Sequence, residues 1–190
     1  MDHVIKMFFD YMKIVNSPLC LLLQDGLSPI EIDQMLGGLD INLPEDIYRF
    51  YAFHNGLKEI SGFSIGQMTL FNKGIFMSFE KCLAEYQYLK NDRLLKKKLP
   101  IFDSGAGDFL LIDCDENSET YNRFLIYAPD LLILKPIAIY DSLNTLLLSV
   151  IRCFAEGIYY FDDDGFLEID FDQERFVCGQ LNPLSKFWSL

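Results

Sequence analysis

The chain has 190 residues, of which 51% are hydrophobic and 15% aromatic, so it is too apolar to stay disordered and long enough to bury a sizeable core. Its formal net charge of −12 argues against direct binding to nucleic acid or to anionic membranes, because both require a positive protein surface. The same charge allows a basic protein as a partner, although solubility alone also explains it.

The first half of the chain contains three helix signals. Apolar residues recur with a helical period over 2–15 and predict a first helix. Ser28-Pro29-Ile30-Glu31 forms a capping box and predicts a second, short helix. Leu43-Pro44-Glu45-Asp46 predicts the start of a third, because proline pre-sets the first turn and the two carboxylates face the positive end of the helix dipole. Asn55-Gly56 would end that third helix.

The second half reads mainly as strands. Rough alternation over 60–77 predicts one or two strands, and residues 78–92 return to a helical pattern. The period of strands then appears in four segments: 99–103, 107–114, 121–127 and 131–140. Short connections between them favour antiparallel neighbours.

Asp141-Ser142 caps the clearest helix of the chain, which Gly157 ends. The last thirty residues are acidic and aromatic and read as two short strands or loops before a terminal segment. We predict one α+β domain over 1–190: a mainly antiparallel or mixed sheet, flanked by N-terminal helices and covered by a C-terminal helix.

The five cysteines are far apart and include no C-x-x-C motif, which favours a reducing compartment. The first residues, Met1 to Lys6, lack the pattern of a signal peptide, and no apolar stretch is long enough to span a bilayer. These features predict a cytoplasmic protein that does not use a membrane.

The run from Ile101 to Asp115 permits two interpretations. Asp103-Ser104-Gly105-Ala106 has the local form of an aspartic-protease loop, but such an enzyme needs a second carboxylate, which would have to come from a homodimer. The many helical segments also count against a protease. The other interpretation is a strand, a glycine turn and a second strand without chemistry.

The sequence contains no motif that indicates another catalytic site or a metal site. The two histidines, His3 and His54, are not accompanied by a G-x-S-x-G motif or by ligands at zinc spacing. An EF-hand alignment of 162–165 places Tyr160 and Phe171 where calcium requires carboxylates. We therefore predict no catalytic residue, no metal and no cofactor.

Three segments, in order, resemble one known family. They are Leu43-Pro44-Glu45-Asp46 leading to Asn55-Gly56, the strand–turn–strand from Leu99 to Asp113, and the capped helix that begins at Asp141. Together they cover roughly 25–157 and are similar to the SMI1/KNR4 family of the SUKH superfamily of immunity proteins. The positions that carry the family motif are Leu43, Pro44, Asn55, Gly56, Gly105, Gly107, Asp108 and Asp113.

The resemblance implies a non-catalytic protein that neutralises a cognate polymorphic toxin, often a nuclease or a deaminase, by binding it. One alternative is a regulatory scaffold built on the same fold, as in yeast relatives, and another is a carboxylate-dependent hydrolase. Residues 158–190 would be an acidic, aromatic extension of the family core, and the oligomeric state stays open.

A basic toxin would be met by surface carboxylates with aromatic anchors. The candidate partner-binding residues are Asp115, Glu116, Glu119, Tyr159, Tyr160, Asp162, Asp163, Asp164 and Glu168.

Overall fold

A computed structural model of the protein describes residues 1–58, 63–72 and 74–189. The helices in these ranges are α1 (Asp2–Ile14), α2 (Pro29–Leu36), α3 (Glu45–Phe53), α4 (Phe79–Leu89), α5 (Leu143–Ala155) and α6 (Phe171–Leu181). The strands are β1 (Leu23–Asp25), β2 (His54–Leu57), β3 (Ile75–Phe76), β4 (Lys98–Asp103), β5 (Phe109–Asp113), β6 (Phe124–Ala128), β7 (Ile133–Tyr140), β8 (Tyr159–Phe161) and β9 (Leu167–Ile169). The α+β class predicted from the sequence is confirmed.

The largest sheet is antiparallel and has the strand order β3-β4-β5-β6-β7. Strands β4, β5 and β6 each pair with the next strand in the chain, as the short connections predict. The 104–108 turn and the 129–132 connection therefore lie at one end of the sheet, which we call the turn end. The 114–123 loop lies at the opposite end, which we call the loop end.

The central strands are buried on both sides. Every residue of β5, the middle strand of the sheet, is buried, so both of its faces are covered. On one face the aromatic rings of Phe50, Phe76 and Phe102 meet, with ring centroids 4.6 Å apart for Phe50–Phe76 and 5.5 Å apart for Phe76–Phe102. Phe50 comes from α3, so the predicted third helix supplies a central part of the core.

The predicted covering helix is α5. Ser142 accepts a hydrogen bond from the Thr145 amide, and the Thr145 hydroxyl accepts one from the Ser142 amide, so the cap is reciprocal. The apolar stripe of α5 is buried from Leu143 to Phe154, and the helix packs between α1 and α6. The capping box of α2 is also present, with both partners, Ser28 and Glu31, in place.

Three expectations need correction or limits. Asn55-Gly56 does not end α3 as a loop, because both residues lie in β2, which pairs with β1. The terminal segment contains α6, a helix that the pattern did not predict. The region 60–77 holds a short 3₁₀ helix at Gly66–Met68 and the two-residue β3, while 60–62 and 73 lie outside the described residues.

Within the described ranges, no helix combines the length and apolar character needed to cross a bilayer.

Candidate interaction surface

The β8–β9 hairpin brings four of the candidate partner-binding residues together. Tyr160 and Glu168 are directly opposite each other in the antiparallel pair, so their side chains share one face. Both are exposed, Tyr160 with 56% of its surface in contact with solvent. Asp163 and Asp164 are exposed in the turn that joins the two strands. The hairpin therefore presents an aromatic ring beside three carboxylates.

The Asp162 side chain stabilises the turn between β8 and β9 through hydrogen bonds to its backbone. Its Oδ1 accepts hydrogen bonds from the amides of Asp164, at 3.0 Å, and Phe166, at 2.8 Å. Gly165 has φ +82°, a conformation that glycine adopts without steric cost. This backbone geometry fixes the direction in which Asp163 and Asp164 point away from the protein.

The hairpin is anchored to the rest of the protein at both sides. The Phe161 ring stacks on Phe154 of α5 with centroids 5.5 Å apart. On the other side, Gln67 Nε2 donates to the backbone oxygen of Asp164 at 2.8 Å. These contacts fix the hairpin in one position, so little ordering would be needed when a partner binds.

Tyr159 is the candidate whose position rules out a surface role. Only 2% of its surface is exposed, since strand alternation turns it inward while Tyr160 faces out. Its hydroxyl donates to Glu174 Oε1 in α6, and Asn72 Nδ2 donates to Glu174 Oε2 at 3.1 Å. Burial raises the pKa of Glu174, because it disfavours the charged form of the carboxyl.

The other three candidates lie in the 114–123 loop. This loop is organised by the buried Asp113, whose Oδ2 accepts from the hydroxyls of Ser118, at 2.7 Å, and Thr120, at 2.6 Å. Asp115 is half-buried and its Oδ1 accepts from the Asn117 amide at 3.3 Å, so it too stabilises the loop.

Glu116 and Glu119 remain as the exposed carboxylates of that loop. No aromatic side chain of the loop is fully exposed beside them; Tyr121 is half-buried. The loop set therefore lacks the exposed aromatic ring that the hairpin set has.

The structure does not bring the two sets together. A Cβ on Gly105 would lie 2.5 Å from Ile65 Cγ2, so the 3₁₀ segment that touches the hairpin through Gln67 also touches the 104–108 turn. The hairpin is thus at the turn end of the sheet and Glu116 is at the loop end. Strand β5 alone separates these ends by about 14 Å, at about 3.4 Å per residue.

Asp103, the residue of the protease interpretation, serves the 104–108 turn. Its Oδ1 accepts from the Gly105 amide at 2.7 Å, and its Oδ2 lies 3.5 Å from Lys81 Nζ. Gly105 and Gly107 have φ +77° and +88°, as the turn interpretation of this run requires. Among the described residues, no group of three or more histidine, cysteine or acidic side chains is placed to hold a metal ion.

Asn55-Gly56 connects β2 to α4. Asn55 is buried, its Oδ1 accepts from the Phe79 amide at 2.7 Å, and its Nδ2 donates to Glu80 Oε2 at 3.1 Å. The Asn55 side chain therefore satisfies a free amide at the start of α4. Gly56 passes so close to α4 that a Cβ there would lie 2.3 Å from the Ser78 nitrogen.

Other motif positions are also structural. Leu43 is buried and Pro44 immediately precedes the first residue of α3. Asp108 and Asp113 are both buried, at the beginning and the end of the β5 region. The quoted motif thus marks the backbone turns and buried polar groups that hold helices and sheet together.

A comparison with protein-family models gives a match to the SMI1 / KNR4 family (SUKH-1) over residues 26–149. The chain belongs to the SMI1/KNR4 family. The matched segment runs from the end of β1 into α5 and contains the whole five-stranded sheet. A comparison with curated proteins finds no match.

Membership of the SMI1/KNR4 family supports a protein-binding role of the immunity type or a related one. The β8–β9 hairpin and α6 follow the matched segment, so the family match does not include the surface that they form.

The candidate residues predicted from the sequence do not include the exposed aromatic residues of α6. Phe171 and Phe176 are each more than three-fifths exposed and lie near the acidic hairpin in the chain. The available signal was Asp170, which caps α6 by accepting from the Gln173 amide at 3.1 Å. An N-cap at Asp170 predicts a helix that starts at Phe171, and a helix places some of its aromatic side chains outward.

Proposed function

We propose that the chain is a non-catalytic immunity-type protein that neutralises a cognate basic toxin domain, a nuclease or a deaminase, in the cytoplasm. The surface that we assign to this role is the β8–β9 hairpin. The observation that carries the proposal is the exposed pair of Tyr160 and Glu168 beside Asp163 and Asp164, on a hairpin held in place from two sides.

Charge supports this choice of partner. A toxin that acts on nucleic acid needs a cationic cleft, and a protein of net charge −12 would be drawn to it by long-range attraction. Residues 158–190 hold seven acidic and two basic side chains, and the acidic ones other than the buried Glu174 would add to the attraction near the hairpin. Carboxylates placed in the cleft would occupy the positions of substrate phosphates.

Tyr160 supports the hairpin over the 114–123 loop. Aromatic side chains at the centre of an interface contribute much of its binding free energy, while surrounding charges act mainly on the association rate. The hairpin combines the exposed ring of Tyr160 with carboxylates on the opposite strand and in the turn, where Phe166 is also exposed. The loop offers Glu116 and Glu119 with no fully exposed ring of its own.

Catalysis is not part of the proposal, because the best candidate for it has another use. The Asp103 carboxylate accepts a backbone hydrogen bond in the turn and lies near Lys81. A protease activity that Asp103→Asn abolishes would contradict a non-catalytic role.

The test is rescue of cells from a toxin. The candidate toxin is the variable C-terminal domain of a large secreted protein encoded beside the gene for this chain, expressed together with the chain in a host that it kills. We expect wild-type chain to restore growth and Asp163→Lys/Glu168→Lys to fail. Glu116→Lys/Glu119→Lys is the matched control, because it changes the net charge by the same amount at the loop end, and it should restore growth.

Two results would contradict the proposal. Failure of the wild-type chain to bind and neutralise that domain would favour the regulatory scaffold instead. Rescue by the hairpin variant, with failure of the loop variant, would move the binding surface to 114–123. Circular dichroism of both variants establishes that each is folded.

A further inference from the structure

A cavity of about 340 Å³ lies between the large sheet and the C-terminal segment. Leu110, Ile126 and Ile139, from β5, β6 and β7, line one side of it. The rings of Phe187 and Trp188 line the other, together with Phe171 of α6, which is 64% exposed. The wall formed by these three aromatic residues comes from beyond the family-matched segment, so this chain's own extension completes the cavity.

The cavity is open to solvent beside the exposed residues Leu131 and Phe171, and its volume exceeds that of the voids left inside a packed core. Protein interiors are close-packed and contain few voids larger than a water molecule. An apolar cavity of about 150 Å³ already binds benzene, and small-molecule sites begin at about 300 Å³. The present cavity therefore has room for a molecule roughly twice the size of benzene.

The chemistry of the walls selects the class of ligand. None of the described residues that line the cavity carries a charge. The Trp188 indole nitrogen donates to the backbone oxygen of Ile139, and Asn72 Nδ2 donates to Glu174, so these donors are already used. Tyr140 also lines the cavity, and its hydroxyl is buried near Cys178. Aliphatic and aromatic carbon dominates the remaining side chains of the lining, and water there would find few partners.

We propose that this cavity is a binding site for an uncharged, apolar small molecule with about ten to sixteen carbon atoms, of aromatic or aliphatic character. Its entry would pass Leu131, which lines the cavity and is 57% exposed. Burial of the ligand's apolar surface would supply the affinity. This proposal does not depend on the toxin-binding role.

The protein contains a reporter for this site, because Trp188 is its single tryptophan and lies in the cavity wall. N-phenyl-1-naphthylamine is an uncharged probe of suitable size whose fluorescence increases in apolar surroundings. We expect saturable binding of one probe per chain, with energy transfer from Trp188 to the bound probe.

Two exposed leucines provide the variant and its control. Leu131→Glu places a charge at the entry and should weaken probe binding at least tenfold. Leu134→Glu changes a leucine that is 61% exposed but does not line the cavity, and it should leave binding unchanged. Both side chains are on the surface, so neither change removes core contacts.

Methyl spectra of Ile126 and Ile139 locate the bound probe independently. Probe-induced shifts at these two residues, absent in Leu131→Glu, are the expected result. The proposal is overturned by non-saturable binding, by binding without transfer from Trp188, or by equal affinities of the two variants.

Discussion

Gly56 shows how one residue sets the distance between two elements. Its φ is +71°, and the start of α4 lies directly against its α-carbon. Gly38 has a similar φ of +87° but no atom within 4 Å of the position of an added Cβ. A side chain at Gly38 would therefore meet only backbone strain, whereas a side chain at Gly56 would meet both strain and a steric clash.

We predict that Gly38→Ala lowers the free energy of unfolding by about 1 kcal/mol, the cost of a left-handed alanine. Gly56→Ala should lose at least about 2 kcal/mol more, because β2 and α4 must also move apart. Urea unfolding of both variants measures the difference. Equal losses would mean that the close approach at Gly56 does not contribute to stability.

Glu174 gives stability a defined dependence on pH. Its pKa in the folded protein lies above the ordinary value of 4.5, whereas in the unfolded chain it ionises near that value. As the pH rises above the pKa of Glu174 in the unfolded chain, the unfolded state releases its proton first. The folded state therefore loses stability until the pH passes the pKa of Glu174 in the folded protein.

The free energy of unfolding of the wild type minus that of Glu174→Gln should therefore fall as the pH rises above about 4.5. Urea unfolding at a series of pH values provides the free energies. Glu168→Gln is the control, because it also removes one carboxylate but from an exposed position in β9. A difference that rises with pH would mean that Glu174 is stabilised as an anion.

At the scale of elements, local signals were readable from the sequence and long-range ones were not. The α2 capping box involves residues three apart, and the apolar stripe of α5 extends over 13 residues, so both helices were predicted. The role of Asn55-Gly56 depends on β1 and α4, which are distant in the chain, and a local interpretation placed it at a helix end.

Helix α6 was missed because its pattern is unusual. Its buried side contains the carboxylate of Glu174, while Phe171 and Phe176 are each more than three-fifths exposed. The pattern of polar and apolar residues in this segment therefore does not indicate which side of α6 is buried. Glu174 is accommodated only because Tyr159 and Asn72 donate hydrogen bonds to it, which the sequence does not show.

The hairpin surface was partly predictable. Acidic residues around Gly165 indicate an exposed turn, and the alternation of strands requires that only one of Tyr159 and Tyr160 faces out. Which tyrosine does so depends on the packing of α5 and α6. The separation of the hairpin from the 114–123 loop depends on the order of strands in the sheet.

At the scale of the whole molecule, we propose that residues 1–190 form one domain. The hairpin stacks on α5 through Phe161, and Trp188 contacts both Tyr140 of β7 and α6. Such shared contacts favour unfolding in one cooperative step.

Trp188 fluorescence reports on the C-terminal segment, and far-ultraviolet circular dichroism reports on all helices. We predict that the two signals change at the same urea concentration. An earlier change in fluorescence would show that the segment unfolds separately from the family core.

Binding of a basic partner by the hairpin is tested most directly by the rate of association with the purified toxin domain, at low and at high salt. We predict a wild-type rate that falls with salt, and a rate for Asp163→Lys/Glu168→Lys at least about tenfold lower at low salt. Glu116→Lys/Glu119→Lys, with the same change in charge at the loop end, should be reduced much less. Equal reductions for the two variants would contradict a binding surface on the hairpin.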